Sequence, residues 1–503
     1  MIFFLTAGKN QLILNYNVVV VQNRKSFKKQ AATAGCFRIV VKIALGRDLR
    51  ARRQKKFIRS KTMKKLVSVV AAVAMVGMVC PLFAAKKAKT QGKVLNICVW
   101  NEEFQSRFRD YFEKAGKLPA DVKVNWIITP NQGSAYQNKL DELLLNQENV
   151  SADEKIDLFL VEADYALKYV DTPYVLDVKK DIGLKDADLA QQYKYTKDVM
   201  TDSKGKLKGV TWQACPGGFI YRRSIAKAVL GTDDPAQVQA ALNNWDKFDA
   251  VAAKAKAQGF FMLSGYDDDF RVFSDNVGAP CVKGNKIFID PQIKRWISQT
   301  KTYTDKGYNN KANLWSNESF KGAAKNGKVF GYFGPAWFID FCLAPATLDD
   351  PSAPKKLGNG SYGDWAFCKG PQGFSWGGTW ICAAAGTDNV DLIRDIMYTM
   401  TCDKITMTRI AKEASDFVNN EAAMIEVANS DYQNPFLGGQ NHIKMFLDSA
   451  KSISKTTITM YDQGFAEKIQ GAMQDYYNGD VDEAKAWDNF YKALIELYPN
   501  LQK

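Results

Sequence analysis

The chain has 503 residues, too long for one hydrophobic core of typical size, so the sequence predicts two domains. Its formal net charge of +14 comes entirely from residues 1–62, which are rich in Lys and Arg and hold one acid, Asp48. Residues 63–503 are therefore neutral overall. This neutrality argues against the nucleic acid or anionic membrane partner that a basic pI would otherwise suggest.

Residues 63–85 have the three parts of a secretory signal peptide. Met63-Lys64-Lys65 is the basic start, an uncharged run follows, and small residues end at Ala85. The sequence thus predicts export to the periplasm or the cell exterior. Because a signal peptide works from the start of a chain, we expect synthesis to begin at Met63 and residues 1–62 to be a mis-set start. The alternative is a real basic extension, such as a transit peptide.

Cysteine usage leaves two questions open. Cys80 offers an alternative in which the exported protein is lipid-anchored through this thiol, although Gly77 and Val79 fit a lipoprotein cleavage site poorly. Seven cysteines follow, and an odd number leaves at least one thiol free. Cys98 and Cys382 lie in apolar strand-like runs and are expected to be buried thiols. No Cys-x-x-Cys pair is present, so the sequence predicts neither a metal site nor another cofactor.

The first third of the exported chain alternates strands and helices. Apolar runs predict strands at 94–100, 122–128 and 156–161, with helices over 104–115 and 135–145 between them. Short strand–helix–strand connections imply right-handed crossovers and a parallel sheet. Ligands of such sheets meet the loops after the strands. Here these are Trp100–Glu103, Thr129–Gln132 and Glu162–Tyr165.

A second folding unit begins after residues 209–223, where a strand breaks at Cys215-Pro216-Gly217-Gly218 and resumes at Phe219. Further on, Asn244 is predicted to cap a helix that ends at Gly259. Later elements are predicted as well. They are strand 329–333, a Gly334-Pro335 break, a polar link over 351–363, strand 380–385 and a final helix that Asp480 would begin with capping-box spacing.

Catalytic chemistry has few candidates in this sequence. His442 is the only histidine, which removes histidine-based triads and most general acid–base schemes at neutral pH. Paired carboxylates for glycoside hydrolysis remain an alternative, because such chemistry needs only two acids at a fixed separation. The candidates are Glu102, Glu103, Glu162 and Asp164, and their spacing selects no pair.

Aromatic residues are concentrated near predicted strand ends and Gly/Pro breaks. Aromatic faces beside Asn, Gln, Asp and Glu suit a sugar, whose apolar face stacks on a ring while its hydroxyls form hydrogen bonds. The residues are Trp100, Tyr165, Trp212, Phe333, Trp337, Trp376 and Trp380. Individually, each could equally be a core residue.

The order of segments resembles the bacterial extracellular solute-binding proteins of ABC importers, specifically the maltose-binding-like carbohydrate group of family 1. The resemblance spans nearly all of residues 93–500. It rests on the strand and polar loop 94–103, strand 157–161 followed by Asp164, and Gly-Lys-Leu-Lys-Gly-Val-Thr-Trp at 205–212. Other matching segments are Phe219-Ile-Tyr-Arg, Asn244-Trp-Asp-Lys-Phe, Phe320-Lys-Gly, Gly334-Pro-Ala-Trp and Gly377-Gly378.

This resemblance implies an α/β protein with the two-lobed periplasmic-binding-protein fold of type 2. Two lobes would be joined by hinge crossings, with a ligand cleft between them. By position, the first lobe comprises residues 86–209 plus 336–400, and the second comprises 212–333 plus 404–503.

The resemblance also implies roles for individual residues. Asn101, Glu102, Glu103 and Asp164 would bind sugar hydroxyls, with Trp212 and Gln213 at the crossing and Trp337 and Trp376 as stacking faces. Gly209, Cys215, Gly217, Gly334 and Pro335 would form the hinge.

The function implied is that of the substrate-binding component of an ABC importer. It would bind a small solute, most simply a sugar, and deliver it to a membrane permease, acting as a monomer without catalysis. Two alternatives stay open: a secreted glycoside-active enzyme, and a sensor or adhesin of the same fold.

Overall fold

The computed structural model describes residues 91–350 and 352–503. The predicted signal peptide, Cys80 and the basic segment 1–62 lie outside the described residues. Within those ranges, no helix combines the length and the apolar character needed to cross a membrane.

The strands are numbered in chain order. They are β1 Val94–Val99, β2 Lys123–Ile128, β3 Leu158–Glu162, β4 Val210–Thr211, β5 Pro216–Arg222, β6 Leu263–Gly265, β7 Val282–Lys283, β8 Lys286–Ile287, β9 Asn309–Ala312, β10 Gly331–Pro335, β11 Trp365–Cys368, β12 Phe374–Ser375 and β13 Thr379–Ala383.

Helices connect and cover these strands. The α-helices are Glu103–Phe108, Ala135–Leu145, Leu167–Val170, Lys194–Val199, Arg223–Leu230, Pro235–Leu242, Trp245–Ala257, Phe270–Ser274, Pro291–Lys306, Asn317–Lys321, Ala344–Ala346, Val390–Thr401, Lys404–Glu413, Glu421–Ala428, Ile443–Ala450, Asp462–Asn478 and Glu483–Leu497. Short 3₁₀ turns lie at Gln132–Ser134, Ala152–Glu154 and Pro435–Leu437, and π-helical segments at Arg109–Glu113, Val178–Ile182 and Phe338–Leu343.

The first sheet has the strand order β2-β1-β3-β13-β4. β1 pairs in parallel with both β2 and β3, which confirms the parallel sheet predicted for the first three strands. β13 is antiparallel to β3 and to β4, so this sheet is mixed. Because parallel strands share one carboxyl edge, the loops after β1, β2 and β3 lie on the same side of the sheet.

The second sheet is organised around β5. β10, β11 and β12 all pair with it in antiparallel fashion. The sequence predicted a break at residues 215–218, but the strand already begins at Pro216. Gly217 and Gly218 are required by close packing: an added Cβ would lie 2.2 Å from the Phe374 ring and 2.3 Å from the Phe367 ring. Glycine here signals a close approach within a strand rather than a turn.

Two other boundaries differ from the prediction. β10 extends through Gly334 and Pro335, which pair with Gly218 and Gly217 in place of the expected break. Proline is tolerated because β10 lies at the edge of the sheet. The final helix begins at Glu483 and is capped by Asp482, which accepts a bond from the Lys485 amide at 2.7 Å. Asp480 was a wrong choice of cap because its amide still binds Asp475 in the preceding helix.

Other local predictions are confirmed. Asn244 caps the helix Trp245–Ala257, accepting a hydrogen bond from the Lys247 amide at 2.9 Å. Cys98 and Cys382 are buried in strands of the first sheet. The seven cysteines that follow Cys80 are all free thiols. Burial raises the pKa of the Cys98 thiol to about 12, so it stays protonated at neutral pH.

A buried carboxyl group lies in the loop after β6. Asp268 is 2% exposed, and its Oδ2 accepts bonds from the amides of Ser264 at 2.6 Å and Gly265 at 2.9 Å. Its other oxygen, Oδ1, is buried without a hydrogen-bond partner. Burial, and then the neighbouring carboxylate of Asp267, raise the pKa of Asp268 from 3.8 to about 7.

We expect Asp268→Asn to flatten the pH dependence of stability. Because the folded pKa is higher than the unfolded one, the folded state binds more protons, and the wild type loses stability as the pH rises from about 4 to about 7. The slope from this one group is at most about 1.4 kcal/mol per pH unit. Urea unfolding of the wild type and of Asp268→Asn between pH 5 and pH 8 measures this slope.

The matched control is Asp246→Asn, which removes a carboxylate whose side chain is 96% exposed. The free energy of unfolding of this control should change with pH in the same way as that of the wild type across this range. If the free energies of unfolding of the wild type and Asp268→Asn changed equally with pH, the raised pKa of Asp268 would be contradicted.

Candidate functional site

Two of the chain segments that join the two sheets, together with a third segment beside the first of them, form the region of the site. The first, residues 212–215, joins β4 to β5, and the second, residues 376–378, joins β12 to β13. A third, residues 416–420, lies beside the first: the Asn419 amide donates to the Trp212 carbonyl at 2.7 Å, and the Ala214 amide donates to the Phe417 carbonyl at 3.1 Å. These segments bring loops of both sheets into one region.

Glycine makes the second crossing possible. Gly377 and Gly378 have φ values of 77° and 111°, which L-residues with a Cβ rarely adopt. The Gly378 carbonyl accepts a bond from the Ala163 amide at 3.3 Å, and the Trp376 amide donates to the Cys215 carbonyl at 3.1 Å. The second crossing therefore contacts both the loop after β3 and the first crossing.

Asp164, in the loop after β3, forms a two-pronged ion pair with Arg271. The Arg271 Nη1 atom donates to Asp164 Oδ1 at 2.7 Å, and Nη2 donates to Oδ2 at 2.5 Å. Despite burial, this guanidinium holds the pKa of Asp164 below its ordinary value. Burial, and then the charge of Asp164, raise the pKa of the adjacent Glu162 above its ordinary value.

Aromatic rings lie directly beside this ion pair. The Arg271 guanidinium lies 6.0 Å from the Trp376 ring centre. The Trp337 ring meets Trp376 edge-on at 5.1 Å, and its Nε1 donates to the Trp376 carbonyl at 3.1 Å. Trp315 lies 5.6 Å from Trp376 on another side and is 42% exposed. Trp315 thus offers the aromatic group with the largest solvent-exposed ring surface.

A buried polar network lies at the end of β1. Gln213 Nε2 donates to Glu103 Oε1 at 2.9 Å and to Asp416 Oδ2 at 3.3 Å. Arg107 Nη2 binds Asp416 at 3.0 Å and lies 3.5 Å from Glu103. Burial raises the pKa of Glu103 to about 7, against the opposing effect of Arg107. Asn101 accepts a bond from the Glu103 amide at 3.0 Å, while Glu102 is exposed.

Cys215 lies between these groups. It is 2% exposed and has a φ of 49°. Burial raises the pKa of its thiol well above the ordinary value, and the neighbouring carboxylates of Asp416, Glu103 and Glu162 raise it further. The segment 212–215 contacts Glu103 through Gln213 and contacts Trp376 through the Cys215 carbonyl, so the network after β1 and the ion pair after β3 lie in one region.

Several predicted site and hinge residues are buried, among them Trp212 and Gly209. Trp212 is 0% exposed, and its ring stacks on Phe104 at 5.3 Å in the core of the first sheet. In this conformation the ring leaves no surface for a ligand, and a ligand-binding role for Trp212 stays a prediction. Gly209 lies against Cys382 and Met200, where an added Cβ would be 3.0 Å from either side chain.

The sequence analysis missed several residues of the site. They are Arg107, Arg271, Asp275, Trp315, Asp416 and Lys455. Only Trp315 carried a local signal, as an aromatic residue in a polar segment. The others lie in or next to ordinary helices and loops, and they reach the site through tertiary packing.

A cavity of about 100 Å³ lies next to the ion pair. Its wall includes Asp164, Arg271, Asp275 and Lys455. Carboxylates, cations and the nearby aromatic rings can bind a small polar molecule.

A family model described as a bacterial extracellular solute-binding protein matches residues 108–425, well over half of the chain. The chain belongs to this solute-binding protein family. Members of the family are binding proteins rather than enzymes, and the family is an exported one. The comparison with curated proteins finds no match.

Solved structures of solute-binding and sugar-binding proteins share this fold. A family 1 extracellular solute-binding protein aligns with a TM-score of 0.64 at 16% identity, covering 80% of this chain and 99% of that one. The galacto-N-biose/lacto-N-biose I-binding protein of the ABC transporter from Bifidobacterium longum, in complex with lacto-N-biose, aligns with a TM-score of 0.60 at 15% identity, covering 82% of this chain and 98% of that one.

The sugar-binding protein MalE of Xanthomonas citri aligns with a TM-score of 0.59 at 14% identity, covering 80% of this chain and 98% of that one. The solute-binding protein described here therefore has the two-lobed α/β fold expected from the sequence.

Proposed function

We propose that this solute-binding protein binds a sugar or oligosaccharide in the cleft between its lobes and delivers it to an ABC permease. The observation that carries the proposal is the set of Trp315, Trp337 and Trp376 beside the carboxylates of Glu162 and Asp164. Rings stack on the apolar face of a sugar, and carboxylates accept bonds from its hydroxyls. Two structural neighbours also support the proposal: one is a complex with lacto-N-biose, and another is named as a sugar-binding protein.

The strand pairing motivates revised lobe boundaries. β11 and β12 pair with β5, so residues 365–375 join the second lobe, whereas the sequence-based boundaries put them in the first. We place the crossings at 212–215, 376–378 and 416–420. Hinge motion then occurs about these short segments, and Cys215 remains part of the proposed hinge. Gly217, Gly334 and Pro335, as members of paired strands, lie next to the hinge.

Each site residue has a proposed role. Asp164 and Glu162 bind hydroxyl groups. Trp315 and Trp376 contact the sugar face, Trp337 supports Trp376, and Asn101 with Glu102 contributes from the exposed end of β1. Glu103 and Gln213 hold the crossing in place. Binding selects the closed form, which a permease can then recognise.

A ligand screen tests the proposal. The purified protein is heated with maltose, maltotetraose, lacto-N-biose and β-1,6-galactobiose, and with amino acids and spermidine for comparison. A ligand at 100 times its Kd should raise the free energy of unfolding by about 2.7 kcal/mol. Stabilisation by an amino acid or by spermidine, and by no sugar, would overturn the carbohydrate assignment.

We expect Trp315→Ala to weaken the binding of the best sugar by about 3- to 10-fold, because one stacking face worth roughly 0.5–1.5 kcal/mol is lost. Stability should change little, since the Trp315 side chain is 42% exposed. Isothermal titration measures the affinity. The control is Trp487→Ala, a partly exposed tryptophan on the final helix, which should bind like the wild type.

Transport separates an importer from a sensor or adhesin of the same fold. Uptake of the bound sugar by cells that contain the permease should stop when this protein is deleted. Export through residues 63–85, a periplasmic or lipid-anchored location and a monomeric state are part of the proposal. Sequencing the mature N-terminus distinguishes cleavage near Ala85 from lipidation at Cys80.

A further inference from the structure

The ion pair of Asp164 and Arg271 joins the two sheets directly. Asp164 follows β3 of the first sheet, whereas Arg271 lies in the helix Phe270–Ser274, 107 residues further along the chain. That helix packs with the second sheet and its helices: Phe270 meets Trp296 at 4.8 Å, and Phe273 stacks on Trp245 at 4.2 Å. The hydrogen bonds of the pair therefore span the cleft between the lobes.

The charged residues around the ion pair differ between the two lobes. The second lobe presents Arg271 and Lys455 with Asp275 between them, and Lys455 binds Asp275 directly. Asp275 is fixed by the amide of Ser375 at 2.7 Å. The first lobe presents the acids Glu162 and Asp164, and both feel the charges of Arg271 and Lys455. The cations Arg271 and Lys455 of the second lobe therefore lie near the acids Glu162 and Asp164 of the first lobe.

The geometry of the pair requires the lobes to be close together. Two parallel N–H···O bonds form only when the guanidinium and the carboxylate share a plane, and a separation of a few ångströms breaks both. The side chains are 28% and 27% exposed, so water screens the pair less than it would an open surface pair. The Trp376 ring on one side of Arg271 further excludes water.

We propose that Arg271 is an affinity-determining residue whose ion pair with Asp164 forms only on lobe closure and stabilises the closed form. The effect on ligand binding rests on the proposed function, whereas the effect on closure does not. A ligand that binds the closed form has its apparent affinity reduced by the fraction of molecules that are open. Removing the pair therefore weakens binding even where Arg271 does not contact the ligand.

The first test needs no ligand. Small-angle X-ray scattering compares the radius of gyration of the wild type with that of Arg271→Met, which keeps the aliphatic stem and removes the charge. The variant should be more extended, and the wild type should approach it at high salt. The matched control is Arg295→Met, which breaks an exposed pair with Asp246 inside the second lobe. It should scatter like the wild type.

The exchanged double variant, Asp164→Arg with Arg271→Asp, provides the positive control. It restores opposite charges across the cleft and should be more compact than Arg271→Met or Asp164→Arg alone. Equal radii of gyration for the wild type and Arg271→Met, in low salt, would overturn the proposal. So would a double variant as extended as Asp164→Arg alone.

Binding of lacto-N-biose and maltotetraose gives the second readout. Arg271→Met should weaken whichever sugar the wild type binds by about 5- to 150-fold, the range of typical coupling free energies. The double variant should recover closure without recovering full affinity, because Asp164 also binds hydroxyls. Failure of the wild type to bind any sugar would count against the proposed function alone, since the scattering comparison decides the role of the ion pair.

Discussion

Replacing Arg107 by methionine is expected to lower the free energy of unfolding by about 3–5 kcal/mol, because it leaves a buried charge without its partner. The Arg107 and Asp416 side chains are 8% and 3% exposed and bind each other at 3.0 Å. In the variant, Asp416 keeps only the amide of Gln213 at 3.3 Å as a side-chain donor. The loss should be measured by urea unfolding.

Two comparisons identify the cause of this loss. Arg109→Met removes a neighbouring arginine whose side chain is 53% exposed and pairs with Asp110, so stability should change by less than about 1 kcal/mol. In the double variant Arg107→Met with Asp416→Asn, no charge is left unpaired at Asp416, and part of the stability should return. Equal losses for Arg107→Met and Arg109→Met would show that the buried pair contributes little.

The same variant has a defined pH dependence. Burial raises the pKa of Glu103 to about 7 even with Arg107 present, so removing the guanidinium raises that pKa further. A folded pKa above the unfolded one means that stability falls as the pH rises. Arg107→Met should therefore lose more stability relative to the wild type at pH 8 than at pH 6. The opposite trend would contradict the contact between Glu103 and Arg107.

Trp212→Ala is expected to lower the free energy of unfolding by about 3–5 kcal/mol, the usual effect of removing a fully buried large aromatic residue. The ring is 0% exposed and stacks on Phe104 at 5.3 Å with an interplanar angle of 22°. Its Nε1 atom has no hydrogen-bond partner, so Trp212→Phe sacrifices no hydrogen bond and should lose much less. Chemical denaturation of the three proteins measures the series.

This series also distinguishes the two positions considered for Trp212. If the ring lay in the cleft, Trp212→Ala would abolish sugar binding and leave stability nearly unchanged. In the structure described here, the main effect is on stability, and Trp212→Phe should bind the sugar almost as the wild type does. If Trp212→Ala had near-normal stability, that result would support a position of Trp212 in the ligand site.

Local sequence patterns predicted most of the first sheet. Apolar runs predicted the strands β1, β2 and β3. The short strand–helix connections predicted their parallel pairing, because such connections allow few topologies. The same patterns gave the Asn244 cap, since capping depends on a side chain and amides three residues away. The prediction failed at residues 215–218 and 334–335, where breaks in the chain were expected. There, glycine allows close packing within a strand, and proline lies in an edge strand.

The sequence predicted only part of the candidate site, because many of the contacts in the site join residues far apart in the chain. Asn101, Glu103 and Asp164 follow strands, so their location at one edge of the sheet was predictable from the chain alone. Arg271 is 107 residues from Asp164, and Asp416 is 309 residues from Arg107. No local period or motif connects such pairs, and only the packing of the two lobes brings them together.

By itself, the sequence determined the alternation of strands and helices, the neutral body of the chain, and the family to which its segments belong. These depend on composition, short-range periodicity and segment order. The tertiary structure alone decided that the Gly377-Gly378 segment joins the two sheets, that Trp212 is a core residue, and that Arg271 reaches across to Asp164. The physical reason is that burial and charge pairing depend on distances between residues far apart in the chain, which the fold sets.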